Sequence, residues 1–222
     1  MLSKPLVAGI LVVVVLALIA GGISLSVNRG NQVAADALAV RAAACAAGDC
    51  QIGDPGPGGG IVFYDAGSNQ PWGRYLEAAP ELPEEVWCDV WSLDVVSGTT
   101  EEIGAGAANT KLIAAACGSG AANTVSDYEG GGKADWFLPS ADELNALYEQ
   151  QAKVGGVGAG GYWSSSQGPS GEASYQGFTP GFQHGYYEGA AYGVRPVRAF
   201  ELFSRLATYN FIATMLIDSF RL

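Results

Sequence analysis

The sequence predicts an α+β domain with two helices and small antiparallel sheets, preceded by a single N-terminal transmembrane helix. Three observations lead to this prediction. The 222 residues include 32 glycines and 10 prolines, a content typical of a fold with many turns and few long helices. The segment 6–27 contains no charged residue. Finally, one strongly capped helix near Ser140 is followed by a series of strand-like segments up to Phe200.

The apolar segment 6–27 is long enough to cross a bilayer as an α-helix. Lys4 precedes it and Arg29 is the first charged residue after it. We interpret it as an uncleaved signal anchor, with residues 1–5 in the cytoplasm and the rest outside, at the cell surface or in the periplasm. A cleaved signal peptide is the alternative, because Ala20-Gly21-Gly22 resembles a small-residue cleavage site.

Four cysteines, an even number, predict two disulfides in a domain outside the cytoplasm. Cys45 and Cys50 would close a short local loop, and Cys88 and Cys117 would join the domain across a longer one. A tetrahedral metal site is the alternative. It is disfavoured because the sequence has no CxxC pair and its single histidine, His184, is far away in sequence.

The remaining chain divides by composition. The alanine-rich segment 28–50 predicts a helical stalk, and the glycine- and proline-rich sequence that follows marks the start of a domain over 51–200. Apolar residues at helical spacing predict a C-terminal amphipathic helix over 201–222. This helix would pack on the domain, on a partner or at the membrane surface.

Within the domain, apolar runs and turn residues predict the order of the elements. Ser140 and Glu143 form a capping box, which predicts a helix that begins after Ser140 and ends before Gly155. The other predicted elements are a strand over 61–64 with a turn at 65–69, a strand over 75–79, a helix over 107–116, strands over 162–166 and 173–178, a loop over 179–189, and a strand over 193–200 interrupted by Pro196.

Five segments in order resemble a bacterial domain family named for the C-terminal domain of the Legionella collagen-like adhesin. They are IGDPGPGGGIVFYDAG (52–67), IGAGAANTKLIAAACG (103–118), GGKADWFLPSADELNALY (131–148), YWSSS (162–166) and VRPVRAF (194–200). The resemblance implies a C-type-lectin-like fold, similar also to formylglycine-generating-enzyme-like folds. It further implies export from the cytoplasm and a role in adhesion and carbohydrate binding.

The same resemblance implies a ligand-contacting region just before the final strand, as in related lectin-like domains with a diversified variable segment. The matching region is Ser174–Tyr192, where aromatic residues alternate with glycines. Tyrosines among small residues offer a large contact area at low entropic cost. We expect Phe178 and Phe182 to be core residues, and the ligand-binding candidates are Tyr175, Gln176, Gln183, His184, Tyr186, Tyr187 and Tyr192.

The charge and the motifs narrow the possible functions. The net charge is −11, which disfavours nucleic acids and sulfated sugars as partners. No arrangement of nucleophile, base and acid is recognisable, so we predict no catalytic residues and no enzyme activity. No cofactor is predicted. Calcium is possible in a lectin-like fold, but the sequence lacks the Glu-Pro-Asn and Gln-Pro-Asp triplets of sugar-binding lectins.

The sequence therefore favours a surface-displayed, membrane-anchored binding module that recognises a glycan or protein ligand through Ser174–Tyr192. The alternative hypothesis is a structural subunit of a surface oligomer or filament, assembled through its N- and C-terminal helices.

Overall fold

The computed structural model describes residues 31–90, 96–158 and 160–202. The chain divides into two compact units, Met1–Arg41 and Ala42–Leu222. Helix α1 covers residues 31–46, within the predicted stalk segment. None of the helices in the described ranges is both long and apolar enough to cross a membrane. The predicted anchor over 6–27 and the predicted helix beyond Leu202 lie outside these ranges.

The second unit is a mixed α+β domain with two sheets. The smaller sheet contains β1 (Ile61–Gln70), β2 (Gly73–Ala78) and β8 (Val197–Phe200), in the order β1-β2-β8. Both neighbouring pairs are antiparallel. The last described strand thus pairs with one of the first, so that this sheet joins the two ends of the domain.

The larger sheet has five strands in the order β3-β7-β4-β5-β6. Its pairs are antiparallel except for β4 with β7, which is parallel. The strands are β3 (Leu82–Val86), β4 (Gly161–Gln167), β5 (Glu172–Gly177), β6 (Gln183–Tyr187) and β7 (Ala191–Val194).

Five α-helices lie in the described residues, and four of them follow α1 and belong to the domain, where the sequence predicted two. After α1 they are α2 (Gly106–Ala116), α3 (Ala121–Ser126), α4 (Ala141–Glu149) and α5 (Gln151–Val154), with a 3-10 turn at Gly130–Gly132. The predicted capping box is confirmed at the start of α4. The Ser140 hydroxyl accepts the N–H of Glu143 at 3.3 Å, and the Glu143 carboxylate accepts the N–H of Ser140 at 2.8 Å.

Three apolar clusters lie in the described residues, and two of them join the helices of the domain to its sheets. One joins Trp87, Ile113 and Trp163, and therefore packs α2 against β4 of the larger sheet. The other joins Leu144 and Leu147 of α4 to residues of both sheets, including Phe63, Tyr162 and Phe178. The prediction that Phe178 belongs to the core is confirmed by its 4% exposure.

Three predicted boundaries are wrong. The predicted turn at 65–69 lies within β1, because the chain continues to Gln70 and pairs back on Gly73. The predicted loop at 179–189 contains β6, whose strand conformation is set by its pairing with β5. The predicted interruption at Pro196 is confirmed, but the segment predicted as one strand over 193–200 forms two strands, β7 and β8, which belong to different sheets.

The cysteines lie in two pairs at disulfide distance, Cys45 with Cys50 and Cys88 with Cys117, as the sequence predicted. Cys88, Cys117 and Cys45 are at most 4% exposed. Paired, buried cysteines are typical of proteins that fold in an oxidising compartment.

A buried carboxylate explains the glycine-rich segment that precedes β1. The Glu77 side chain has no exposed surface, and its oxygens accept the N–H groups of Gly58 at 2.9 Å and Gly60 at 3.0 Å. Arg198 of β8 donates to the same carboxylate at 2.9 Å. A Cβ atom on Gly56 or Gly58 would overlap this carboxylate, so the segment requires glycine for space.

Replacing Arg198 with alanine is expected to lower the free energy of unfolding by roughly 3 kcal/mol, because Glu77 would keep its burial and lose its cation. Urea denaturation of the full-length chain measures this change. The matched control is Arg74→Ala, which breaks the bridge to Asp65 between side chains that are 33% and 29% exposed. The control should cost less than about 1 kcal/mol. Equal losses in the two variants would contradict the role given to Glu77.

The buried carboxyl group of Glu143 should make the stability of the fold depend on pH. Burial raises the pKa of this carboxyl from 4.5 to about 7, although the N–H groups of Ser140 and Gly104 oppose the shift. Between these two values the folded chain binds a proton that the unfolded chain has lost. The stabilising contribution is therefore complete below about pH 4.5 and lost as the pH rises through 7.

We expect the free energy of unfolding to fall by up to about 3 kcal/mol from pH 4.5 to pH 8 through this group. Urea denaturation across this range should show a flatter profile for Glu143→Gln, whatever the absolute stability of the variant. The control is Glu149→Gln at the exposed end of the same helix. The assignment fails if Glu143→Gln keeps the wild-type slope.

Candidate functional site

Strand pairing brings aromatic residues of three strands to one face of the larger sheet. In β5 and β6, Tyr175 lies opposite His184, and Ala173 lies opposite Tyr186. Because directly opposed residues and alternate residues of a strand share a face, Tyr175, His184 and Tyr186 project from the same side. Tyr192 of β7 joins them.

These rings form a continuous group, which we call the aromatic surface: Tyr175, Phe182, His184, Tyr186 and Tyr192. The Tyr175 ring is central, with its centroid 4.5 Å from that of Tyr192, 5.5 Å from that of His184 and 5.9 Å from that of Tyr186. At the far end the ring centroids of Phe182 and His184 are 5.0 Å apart. Such spacings are those of tilted and edge-to-face aromatic contacts.

The aromatic surface continues the core. Trp163 of β4 is fully buried, and its ring centroid lies 5.0 Å from that of Tyr192 and 6.3 Å from that of Tyr175. Its indole N–H donates to the backbone carbonyl of Glu85 at 3.0 Å. From this fixed ring, exposure increases outward to 41% at Tyr186 and 43% at Phe182. The exposed rings are thus held by buried ones.

Two glycines provide the space for these rings. A Cβ atom on Gly161 would fall inside the Tyr175 ring, and one on Gly177 would contact the Phe182 ring at 3.2 Å. The rings therefore lie directly on the backbone of β4 and β5. The Tyr175 and Phe182 rings are therefore oriented by contact with the glycine backbone, because Gly161 and Gly177 have no side chains.

Two tyrosines of the aromatic surface, Tyr175 and Tyr192, have hydroxyl groups that burial keeps neutral. Burial, followed by a hydrogen bond to the Tyr186 side chain, raises the pKa of Tyr192. Burial also raises the pKa of Tyr175. The five strands of this sheet contain three carboxylates, Glu84, Glu85 and Glu172, and no lysine or arginine. The surroundings are therefore acidic.

The other predicted ligand-binding residues lie elsewhere. Gln176 is 1% exposed and donates to the Gly177 carbonyl at 3.0 Å, so it does not fit the prediction of direct ligand contact. Gln183 and Tyr187 alternate with His184 and Tyr186 and project from the opposite face of β6. The Gln183 amide donates to the Ala141 carbonyl at 2.7 Å, which ties β6 to the start of α4.

The exposure of Phe182 differs from the prediction. The sequence predicted a core residue, but the side chain is 43% exposed at the edge of the aromatic surface. The Gly177 N–H donates to the Phe182 carbonyl at 2.8 Å, and this pairing places Phe182 opposite Gly177. Trp163 is a structural support of these rings that the sequence did not predict. Its strand was recognised, but nothing in the local pattern shows which face it occupies.

Four acidic residues that could offer oxygen ligands to calcium, Asp127, Asp135, Asp142 and Glu143, have different surroundings in the fold. Asp135 pairs with Arg198, and Glu143 caps α4, while Asp127 follows α3 and Asp142 lies in the first turn of α4. In the described part of the chain, one close group of three potential metal ligands occurs: Cys88, Asp89 and Cys117. Its two cysteines are paired with each other, so their thiolates are not available to a metal.

The serines of the YWSSS segment hold the loops around the sheet. Ser164 accepts the indole N–H of Trp87 through its carbonyl at 2.7 Å. The Ser166 hydroxyl donates to the Thr100 carbonyl at 2.8 Å and accepts the N–H of Ala141 at 3.0 Å. These contacts explain a polar sequence in a fully buried part of β4.

No protein-family model matches this chain, and no curated protein matches it. We therefore infer the function of the protein from the geometry of the aromatic surface. Neutral tyrosine hydroxyls beside exposed ring faces can stack on apolar faces of a ligand and hydrogen-bond its polar groups.

The Gly161 contact gives a direct test of how the aromatic surface is held. Gly161→Ala should displace the Tyr175 ring, change the near-ultraviolet circular dichroism of the aromatic cluster and destabilise the fold by about 1–3 kcal/mol. The matched control is Gly160→Ala, because a Cβ atom there has no neighbour within 4 Å. Wild-type circular dichroism in Gly161→Ala would contradict the packing described here.

Proposed function

We propose that this protein is a membrane-anchored binding module, displayed outside the cytoplasm, that recognises a glycan or protein ligand through the aromatic surface. The observation that carries the proposal is a contiguous set of five aromatic rings whose exposure increases outward from a buried tryptophan. The apolar sequence of 6–27, which predicts an anchor, and the paired cysteines support a position outside the cytoplasm.

The distribution of exposed apolar side chains supports this location of the site. Eight large hydrophobic side chains are exposed among the described residues. Three lie on α1 and three lie within six residues at the end of the larger sheet. Of the last three, Phe182 and Tyr186 belong to the aromatic surface, whereas Tyr187 projects from the opposite face of β6. A concentration of exposed aromatic residues is typical of an interaction site.

The domain fold we propose is C-type-lectin-like. Three features support it: the pairing of β2 with β8 at the two ends of the domain, the second sheet between them in sequence, and α2 and α4 packed on these sheets. In this arrangement Ser174–Tyr192 supplies β6 and parts of β5 and β7. This is the region that the resemblance to lectin-like domains assigns to ligand contact.

The ligand should have an apolar face and neutral or positively charged groups. Flat aromatic rings stack on the C–H faces of sugars and on planar or aliphatic groups of proteins. The acidic strands around the rings oppose sulfated or phosphorylated ligands. Nucleic acids are unsuitable for the same reason.

The test is a glycan array and a panel of cell-surface protein extracts probed with the full-length chain. Any ligand found there should bind Tyr186→Ala and Tyr192→Ala at least ten-fold more weakly, which corresponds to about 1.4 kcal/mol lost with each ring. Leu112→Ala is the control, because Leu112 is equally exposed at 41% but lies on α2. Unchanged binding in both tyrosine variants would refute the proposal.

A further inference from the structure

Strand β6 is the edge of the larger sheet. It pairs with β5 on one side, and within the described residues no strand lies on its other side. All five of its residues, Gln183–Tyr187, are exposed. A strand with one neighbour presents a row of backbone groups to solvent.

The ladder shows which groups face outward. Gly177 donates its N–H to the Phe182 carbonyl, and Glu188 donates to the Gly171 carbonyl. In an antiparallel pair, residues that bond the neighbour alternate with residues that point away from it. By this alternation Phe182, His184 and Tyr186 bond β5, whereas the N–H and C=O groups of Gln183 and Gly185 point outward.

This edge lacks the usual protection. Natural edge strands are blocked by lysine, by proline or by a bulge. The sequence of β6 is QHGYY, which contains no lysine, no arginine, no carboxylate and no proline, and its register with β5 is unbroken over five pairs. The strand can therefore accept another extended segment along its outer side.

The two faces of the edge differ in chemistry. On one face an added strand would lie beside His184, Tyr186 and Phe182 of the aromatic surface. On the other face a pocket of about 240 Å³ is lined by residues including Glu101, Glu172, Ser174 and Gln183. The Glu172 carboxylate lies over Gly185, at the middle of the edge. Alternate side chains of an added strand would therefore meet aromatic rings and carboxylates in turn.

Charge selects the kind of partner. A second copy paired on β6 around Gly185 would bring two Glu172 carboxylates together, in chains that each carry a net charge of −11. Like charges at such positions are destabilising. A segment with lysine or arginine at alternate positions would place its cations in the acidic pocket. The side chains between these cations would lie on the aromatic rings. The ring faces also attract positive charge, so a cation on that side of the segment is tolerated as well.

We propose that an extended, basic segment of a partner protein binds by adding a strand to the outer edge of β6. The inference builds on the proposed binding function and specifies a protein as the ligand, with backbone pairing as its mode of recognition. Backbone hydrogen bonds provide affinity in this mode, and the alternating pockets provide specificity.

The test uses the full-length chain and dye-labelled ten-residue peptides that alternate lysine with threonine. A second peptide has N-methyl groups on alternate residues, which remove the donors on one edge and leave the charge unchanged. A third alternates glutamate with threonine. Fluorescence anisotropy measures affinity, and amide hydrogen exchange reports protection of the Gly185 N–H.

The basic peptide should bind and protect Gly185, whereas N-methylation should weaken binding at least ten-fold and the acidic peptide should not bind. Glu101→Gln combined with Glu172→Gln should weaken binding several-fold, while Glu149→Gln on α4 should not. Unchanged affinity of the N-methylated peptide would overturn the proposal, as would binding of the acidic one.

Three further results would also overturn it. The first is protection of Gly185 that grows with protein concentration alone, which would identify a second copy as the occupant. The second is protection in the isolated chain that disappears when residues 203–222 are deleted, which would identify the chain's own terminus. The third is a glycan that binds through Tyr186 while no basic peptide binds. That result would preserve the proposed function and exclude this partner.

Discussion

The ion pair between Glu77 and Arg198 is the interaction on which the arrangement of the domain depends. Glu77 has no exposed surface, and it is stabilised by two glycine N–H groups and by a cation from the last described strand. A buried carboxylate without such partners would be very costly. The pair therefore requires the glycine segment at 56–60, β2 and β8 to be in place together, and it joins the start of the domain to its end.

This closure also positions the aromatic surface. Only Arg195 and Pro196 separate β7 from β8, and the Pro196 carbonyl accepts the N–H of Ala79 at 2.9 Å. The Arg195 guanidinium is buried and donates to the Gly156 carbonyl beyond α5. With β8 held by Glu77 and the link held by Arg195, β7 has little freedom. Tyr192 is thus placed against Trp163 and Tyr175 by contacts outside the aromatic surface.

The sequence predicted the local features of this fold and missed those that depend on pairing. The capping box at Ser140, the helix ending at Ala116 and the cysteine pairs follow from short-range patterns, and each is present. Strand β6 was predicted as a loop because glycine within QHGYY resembles a turn signal. Its conformation is set by β5, where the Glu172 carboxylate occupies the space that a side chain at Gly185 would need. Sequence patterns do not contain that contact.

The same distinction applies to the predicted ligand-binding residues, whose positions in the fold depend on strand pairing. Composition alone suggests the tyrosines as ligand contacts. The alternation of side chains along β6 places Tyr186 and Tyr187 on opposite faces of the sheet. Gln176 of β5 is buried, so its side chain is not part of the exposed surface. What remains is a set of rings whose inner members are fixed by Trp163 and whose outer members are exposed. Such a surface is preorganised, because its rings lose little conformational freedom on binding. Its outer positions can also change without disturbing the core, since the contacts that hold the sheet lie beneath them.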